Sequence, residues 1–186
     1  EARIKRLEAD LHRADFLPKE TAALDFVRRV SRYNPRPSAH ELRALESAGL
    51  KPQDIDLIVV ATCTPDHFFP SVACLVQKKL GVPTCIAFDV SAACSGFLYG
   101  LACVKGLLET GAAKTALLIG ADTLSKFTDW KDRGTCVLFG DGAGAVVVRA
   151  EEGPSNLLAM HLGADGNPSD ILTIPGGGSR HPLGNN

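Results

Sequence analysis

No charge of one sign dominates this sequence. Twenty Lys and Arg stand against 21 Asp and Glu, a net charge of −1, and no Lys/Arg-rich run occurs. The basic footprint of a nucleic-acid-binding chain is therefore missing. Long hydrophobic runs are missing too. The longest uncharged stretch, Val90 to Val104, has 15 residues and contains Ser and Gly. It is too short to span a bilayer and suits a buried helix. The opening residues, Glu1-Ala2-Arg3-Ile4-Lys5-Arg6, hold no apolar signal core, so secretion is not indicated and a cytoplasmic location is expected. Neither C-x-x-C nor H-E-x-x-H occurs, and no paired-carboxylate pattern is present. Zinc ribbons and thioredoxin-type redox motifs are thereby excluded. The five histidines (12, 40, 67, 161 and 181) are scattered without ligand spacing, so no metal site is expected.

What is present is an ordinary globular balance. Apolar residues make up 45% and charged residues 22% of 186 residues, enough for a sizeable core in one domain or two small ones. The six cysteines (63, 74, 85, 94, 103 and 136) mostly sit in apolar runs. They read as free thiols of a reducing compartment, with inert core packing as the default for each.

Two textures divide the chain. Residues 1–37 form a charged segment of helical periodicity, with Ile4, Leu7 and Leu11 on one face and Leu24, Val27 and Val30 on another. Asn34-Pro35-Arg36-Pro37 breaks it. Ser38-Ala39-His40-Glu41 has the form of a capping box, opening a helix to about Ala48 that Gly49 stops. From there the pattern alternates. Strands are expected at 57–61, 85–89 and 115–119. Helices are expected from Pro70 to Leu80, closed by Gly81, and from about Cys94 to Glu109, closed by Gly111. Strand, helix, strand, helix, strand implies a mostly parallel α/β sheet. Further strands are expected at 135–139 and 145–148, joined by a tight glycine hairpin over 140–144, with another at 157–161. The tail from Pro175 to Pro182 reads as loop.

The strongest chemical signal is Asp89-Val90-Ser91-Ala92-Ala93-Cys94-Ser95-Gly96-Phe97. A buried strand ends, small residues turn the chain, and a cysteine opens a helix. Ligands bind at the carboxyl ends of parallel strands. A helix N-terminus favours the nucleophilic thiolate and offers N–H groups to an oxyanion. The alternative is a core cysteine at a helix start. Gly140, Gly142 and Ala145 fit G-x-G-x-x-A, but β-branched Val146-Val147-Val148 follows where a nucleotide fingerprint needs a helix. Arg133 is a surface arginine that could also grip a phosphate. Phe68-Phe69 is either core or an interface anchor.

These segments together resemble the β-ketoacyl-acyl-carrier-protein synthase III family, thiolase-superfamily condensing enzymes. The resemblance rests on the Cys94 segment, Ala61-Thr62 with Phe69-Pro70-Ser71, Gly120-Ala121-Asp122, Asp132-Arg133-Gly134-Thr135, the run from Phe139 to Ala145, Gly163-Ala164-Asp165-Gly166, and the loop from Pro175 to Arg180. It covers about Ser38 to Pro182. It implies a thiolase-like fold: residues 38–186 as the N-terminal half of a layered α-β-α-β-α architecture with a mixed, mostly parallel sheet. It also implies an acyltransferase reaction. Cys94 would take an acyl group from acyl-CoA, and malonyl-acyl-carrier protein would decarboxylate and condense with it to start fatty-acid synthesis. By position Cys94 matches the family nucleophile and Arg133 a contact to CoA. Phe69 matches the residue that crosses a homodimer into the partner's acyl pocket, and Leu124 and Phe139 match acyl-pocket positions. No metal or redox cofactor is implied; the CoA thioester is a substrate. No nucleic-acid or membrane partner is implied.

The family's catalytic His and Asn have no matching segment in these 186 residues, and residues 1–37 do not match its first strand. The C-terminal half is accordingly expected to be absent, with an apolar surface left exposed and prone to association. Related readings are a polyketide starter enzyme, a hydroxymethylglutaryl-CoA synthase-like protein, or a non-catalytic interaction subunit.

Overall fold

The computed structural model describes residues 45, 47–153, 155, 157–167 and 171–182. The expected helical segment 1–37 and the capping box at Ser38 lie outside the described residues. The helix they were expected to precede is present at Leu45 and Ser47, and Gly49 ends it with φ +68.

Four strands form one mixed sheet in the order β2-β1-β3-β4. They are β1 (Leu57–Ala61), β2 (Ile86–Val90), β3 (Thr115–Thr123) and β4 (Asp141–Arg149). Central β1 pairs in parallel with both β2 and β3, and β4 runs antiparallel to β3. Among the described residues the faces are covered by α1 (Val72–Leu80), with Leu45 of the helix that Gly49 ends beside it, and by α2 (Gly96–Glu109). Every residue of β1 is buried, the mark of a strand covered on both sides. Its alternation sorts the core. Ile58 and Val60 pack with Leu117, Ile119 and the α1 residues Val72, Ala73 and Val76. Leu57 and Val59 pack with Ala116, Leu118 and the α2 residues Val104 and Leu108. The result is helix, sheet, helix, the expected α/β class with a mostly parallel sheet.

Helix α2 comes unusually close to the sheet through two glycines. A Cβ on Gly100 would stand 2.8 Å from Leu118 Cδ1, and one on Gly96 would stand 3.3 Å from Ala61 Cβ. The innermost line of the helix is therefore Gly96, Gly100, Val104 and Leu108, a four-residue repeat along one face. Phe97 and Leu101 are partly buried beside that line.

Several expectations are corrected. Helix α1 begins at Val72, not Pro70, because Ser71 is the N-cap and its Oγ accepts from Cys74 N at 3.2 Å. Residues 135–139 are turn, not strand. The Asp132 carboxylate accepts from Gly134 N at 2.9 Å and Thr135 Oγ1 at 2.6 Å, and the Asp132 carbonyl accepts from Cys136 N at 3.0 Å. These local bonds replace a ladder, and Val137 and Leu138 are left 70% and 71% exposed. The glycine hairpin is likewise absent. Asp141 to Gly144 are the first residues of β4, with Gly144 opposite Gly120, Ala143 opposite Ala121 and Gly142 opposite Asp122. Residues 157–161 have no ladder partner among the described residues and form no strand. All six cysteines are free, but none is fully buried, and Cys94 and Cys103 are exposed. The inert-core default therefore fails for those two. Among the described residues no helix is long and apolar enough to cross a membrane.

Candidate active site

Parallel pairing puts the carboxyl ends of β1, β2 and β3 on one rim of the sheet. The antiparallel β4 starts at the same rim, where Asp141 lies opposite Thr123. Side chains and backbone knit the rim together. Thr62 N donates to Val90 O at 3.0 Å, linking β1 to β2. Thr123 N donates to Thr64 Oγ1 at 2.8 Å, linking β3 to the loop after β1. Asp141 accepts from Ser125 N at 2.8 Å and Ser125 Oγ at 2.7 Å, linking β3 to β4.

Each residue singled out by sequence follows or precedes a strand at this rim. Phe69 lies in the loop after β1 and is 86% exposed. Cys94 follows β2. Leu124 follows β3 directly and opens the 3-10 turn Leu124–Lys126, its carbonyl accepting from Phe127 N and Thr128 N, both at 3.0 Å. Phe139 stands half-buried two residues before β4. Arg133 lies in the turn between Leu124 and Phe139. Its guanidinium is exposed, with no hydrogen-bond or ion-pair partner among the described residues. The turn is held by Asp132, whose carboxyl is kept below the usual carboxylate range by the Thr135 hydroxyl and then the Gly134 N–H.

Cys94 does not sit on the first α-helical residue. It is the centre of the 3-10 turn Ala93–Ser95, and α2 begins at Gly96. The reason is the backbone before it. Ala93 has φ +45, the one non-glycine residue with positive φ among the described residues. That region costs an L-residue about 1–3 kcal/mol and persists only where surrounding structure enforces it. Three residues on, Gly96 packs closely on Ala61. The strand, the strained corner and the helix seat together lift Cys94 out of the core and into solvent at the head of α2. Ser95 makes no side-chain capping bond, so its hydroxyl claims none of the first-turn N–H groups.

Three aspartates to which the sequence assigned no role organise this end of the molecule or its opposite. Asp89, on β2, accepts from Val72 N at 2.7 Å and Ala73 N at 2.9 Å, seating the head of α1. Asp122, on β3, accepts from Cys63 N at 2.8 Å, Thr62 Oγ1 at 3.1 Å, Thr64 Oγ1 at 3.2 Å and Cys63 Sγ at 3.3 Å, all on one oxygen. Asp56, at the other end, accepts from Lys114 N at 2.8 Å and Thr115 N at 2.9 Å. The available signal was a single charge inside an apolar strand, as in Ala-Phe-Asp-Val and Ile-Gly-Ala-Asp-Thr, since such a charge needs bonded partners.

Residues 88–166 match the family model for 3-oxoacyl-[acyl-carrier-protein (ACP)] synthase III. The β-ketoacyl-[acyl-carrier-protein] synthase III of Caldanaerobacter subterraneus is 57% identical over 140 residues, covering 75% of this chain and 42% of that protein. The enzyme of the same name from Erythrobacter litoralis is 59% identical over 140 residues, covering 74% of this chain and 44% of that protein. The crystal structure of 3-oxoacyl-(acyl carrier protein) synthase III from Pseudomonas aeruginosa PAO1 superposes with a TM-score of 0.67 at 47% identity, over 74% of this chain and 42% of that one. The chain thus spans less than half the length of the relatives it matches. Its sheet order, its cysteine corner and these matches agree: the chain belongs to the β-ketoacyl-[acyl-carrier-protein] synthase III family.

Proposed function

We propose that this chain carries the acyl-accepting cysteine of a condensing enzyme that starts fatty-acid synthesis. The Cys94 thiolate attacks the carbonyl carbon of a short acyl-CoA. The carbon–sulfur bond to CoA breaks, CoA leaves as its thiol with a proton, and an acyl-cysteine remains. Malonyl-acyl-carrier protein then loses carbon dioxide. Its carbanion attacks the acyl-cysteine carbonyl, Cys94 leaves as thiolate, and a β-ketoacyl-carrier protein is released.

The observation that carries this reading is the exposed Cys94 on a strained corner between a strand end and a helix head. The dipole at the head of α2 suits the thiolate and the oxyanion that develops in acyl transfer. The unpartnered Arg133 suits a CoA phosphate. Leu124 and Phe139 line the acyl group, and Phe69, projecting into solvent, reaches a second copy of the chain in a homodimer. A reducing cytoplasm suits a mechanism that needs a free thiol. The acyl-transfer step is assigned to residues of this chain; the condensation step calls for the His and Asn that no segment of the 186 residues matches.

Incubation with acetyl-CoA tests the first step. The peptide containing Cys94 is expected to gain one acetyl mass, with none gained in Cys94→Ala. Acetylation at other cysteines with Cys94 untouched would overturn the assignment.

A further inference from the structure

A second sulfur lies beside the candidate nucleophile. Cys63 is in the loop after β1, on the same rim as Cys94, and a charge on Cys94 adds a small upward push to the Cys63 thiol. Cys63 is half-buried, not sealed. A reagent or thioester that reaches the rim meets two sulfurs, and the proposed chemistry uses one.

The geometry around Cys63 separates them. Four donors converge on Asp122 Oδ1, and two come from Cys63 itself, its N–H and its S–H. Each of the two threonine hydroxyls in the cluster accepts a backbone N–H. Thr62 Oγ1 accepts from Thr64 N at 3.1 Å, and Thr64 Oγ1 accepts from Thr123 N at 2.8 Å. Both hydroxyls donate to the same Asp122 oxygen as Cys63, at 3.1 and 3.2 Å. The Cys63 sulfur thus faces a carboxylate, and its S–H donates to Asp122 Oδ1 at 3.3 Å.

We propose that Asp122 is a positioning residue that silences Cys63, pinning its loop and engaging its S–H so that Cys94 is the reactive sulfur of this rim. The proposal rests on the synthase reading only for what Cys94 does. Burial, then the Asp122 hydrogen bond, then the Asp122 charge push the Cys63 thiol up to about 11 from its ordinary 9.0. Below pH 9 a shift of that size leaves about a hundredfold less thiolate than an ordinary thiol has. The thiolate is the form that attacks electrophiles.

The test is the pH profile of iodoacetamide labelling, read peptide by peptide by mass spectrometry on the 186-residue chain. At pH 8 Cys94 is expected to label at least tenfold faster than Cys63, whose rate should climb only above about pH 10. In Asp122→Asn, which keeps the shape and removes the charge, the Cys63 profile should move to lower pH, with at least a fivefold faster rate at pH 8. A Cys63 profile that superimposes on the wild-type one would overturn the proposal. So would wild-type Cys63 that labels as fast as Cys94. Should Asp122→Asn unfold, Cys63→Ser decides, because serine keeps a donor for Asp122. The count of fast-labelling thiols at pH 8 should be unchanged in that variant, and a count lower by one refutes silencing. A Cys63 that quickens in Asp122→Asn, together with acetyl transfer to other cysteines and none to Cys94, would support the Asp122 assignment while refuting the acyl-accepting role of Cys94.

Discussion

Asp89 is the most informative residue to remove, because its carboxylate joins the strand that runs into Cys94 to the helix behind the Phe69 loop. Its two oxygens each take one N–H, from Val72 at 2.7 Å and Ala73 at 2.9 Å. Both donors belong to buried residues, so water cannot easily replace the carboxylate. A hydrogen bond to a charged acceptor is worth about 1.5–3 kcal/mol, and leaving a buried donor unmet keeps most of that as a cost. Ser71 still caps Cys74, which limits the damage to the two lost bonds. Asp89→Ala should therefore destabilise by about 2–4 kcal/mol. Asp89→Asn retains one oxygen but turns an amide NH2 towards the other donor, and about 1–2 kcal/mol is expected. With a urea dependence of about 2 kcal/mol per molar, the alanine variant should unfold about 1–2 M earlier by circular dichroism. An alanine midpoint within the error of wild type, or an asparagine variant worse than alanine, would refute this account of how α1 is seated.

Two further outcomes follow from packing and charge. Gly100→Ala and Gly106→Ala make the same change in one helix and should have opposite signs. A Cβ at 100 meets Leu118 at 2.8 Å and Val59 at 3.6 Å, both fully buried, whereas nothing lies within 4 Å at 106. Overpacking of about 1–3 kcal/mol outweighs the ~1 kcal/mol gained in helix propensity at 100, and at 106 that gain stands alone. Equal thermal shifts in the two variants would contradict the close helix–sheet contact. For Cys63 the sign is set by a thiol that binds its proton more tightly when folded. Its stabilising contribution is complete below pH 9, the ordinary thiol value, and is lost as pH rises through about 11. Wild-type stability should fall across that window more steeply than in Cys63→Ser, and parallel urea curves would count against the shift.

How much of this was legible in the sequence depends on where the determining interactions lie. The helix and strand cores were legible because burial imprints a period: Leu57 to Ala61 is covered on both faces and reads as one unbroken apolar run. The stops at Gly49, Gly81 and Gly111 were legible because positive φ favours glycine, and all three adopt it. The errors fall where a distant partner decides. Residues 135–139 carry the β-branched and aromatic residues of a strand, but Asp132 captures their backbone first. The glycines at 140, 142 and 144 look like a hairpin until the long β3 supplies Gly120 and Ala121 as small partners for a ladder.

The same reasoning explains why the site itself was only half visible. The cysteine announced itself through its small neighbours, and one of them is needed by packing: a Cβ on Gly96 would stand 3.3 Å from Ala61 Cβ. The carboxylates around it announced nothing by spacing, since Asp89 bonds across 17 and 16 positions and Asp122 across about 60. Local sequence thus encodes the corner that exposes the nucleophile, while the tertiary fold alone encodes the acceptors that hold the loops around it. A reactive cysteine in this setting is a property of the whole sheet rim. Substitutions at Asp89 or Asp122 should therefore disturb Cys94 chemistry without touching Cys94.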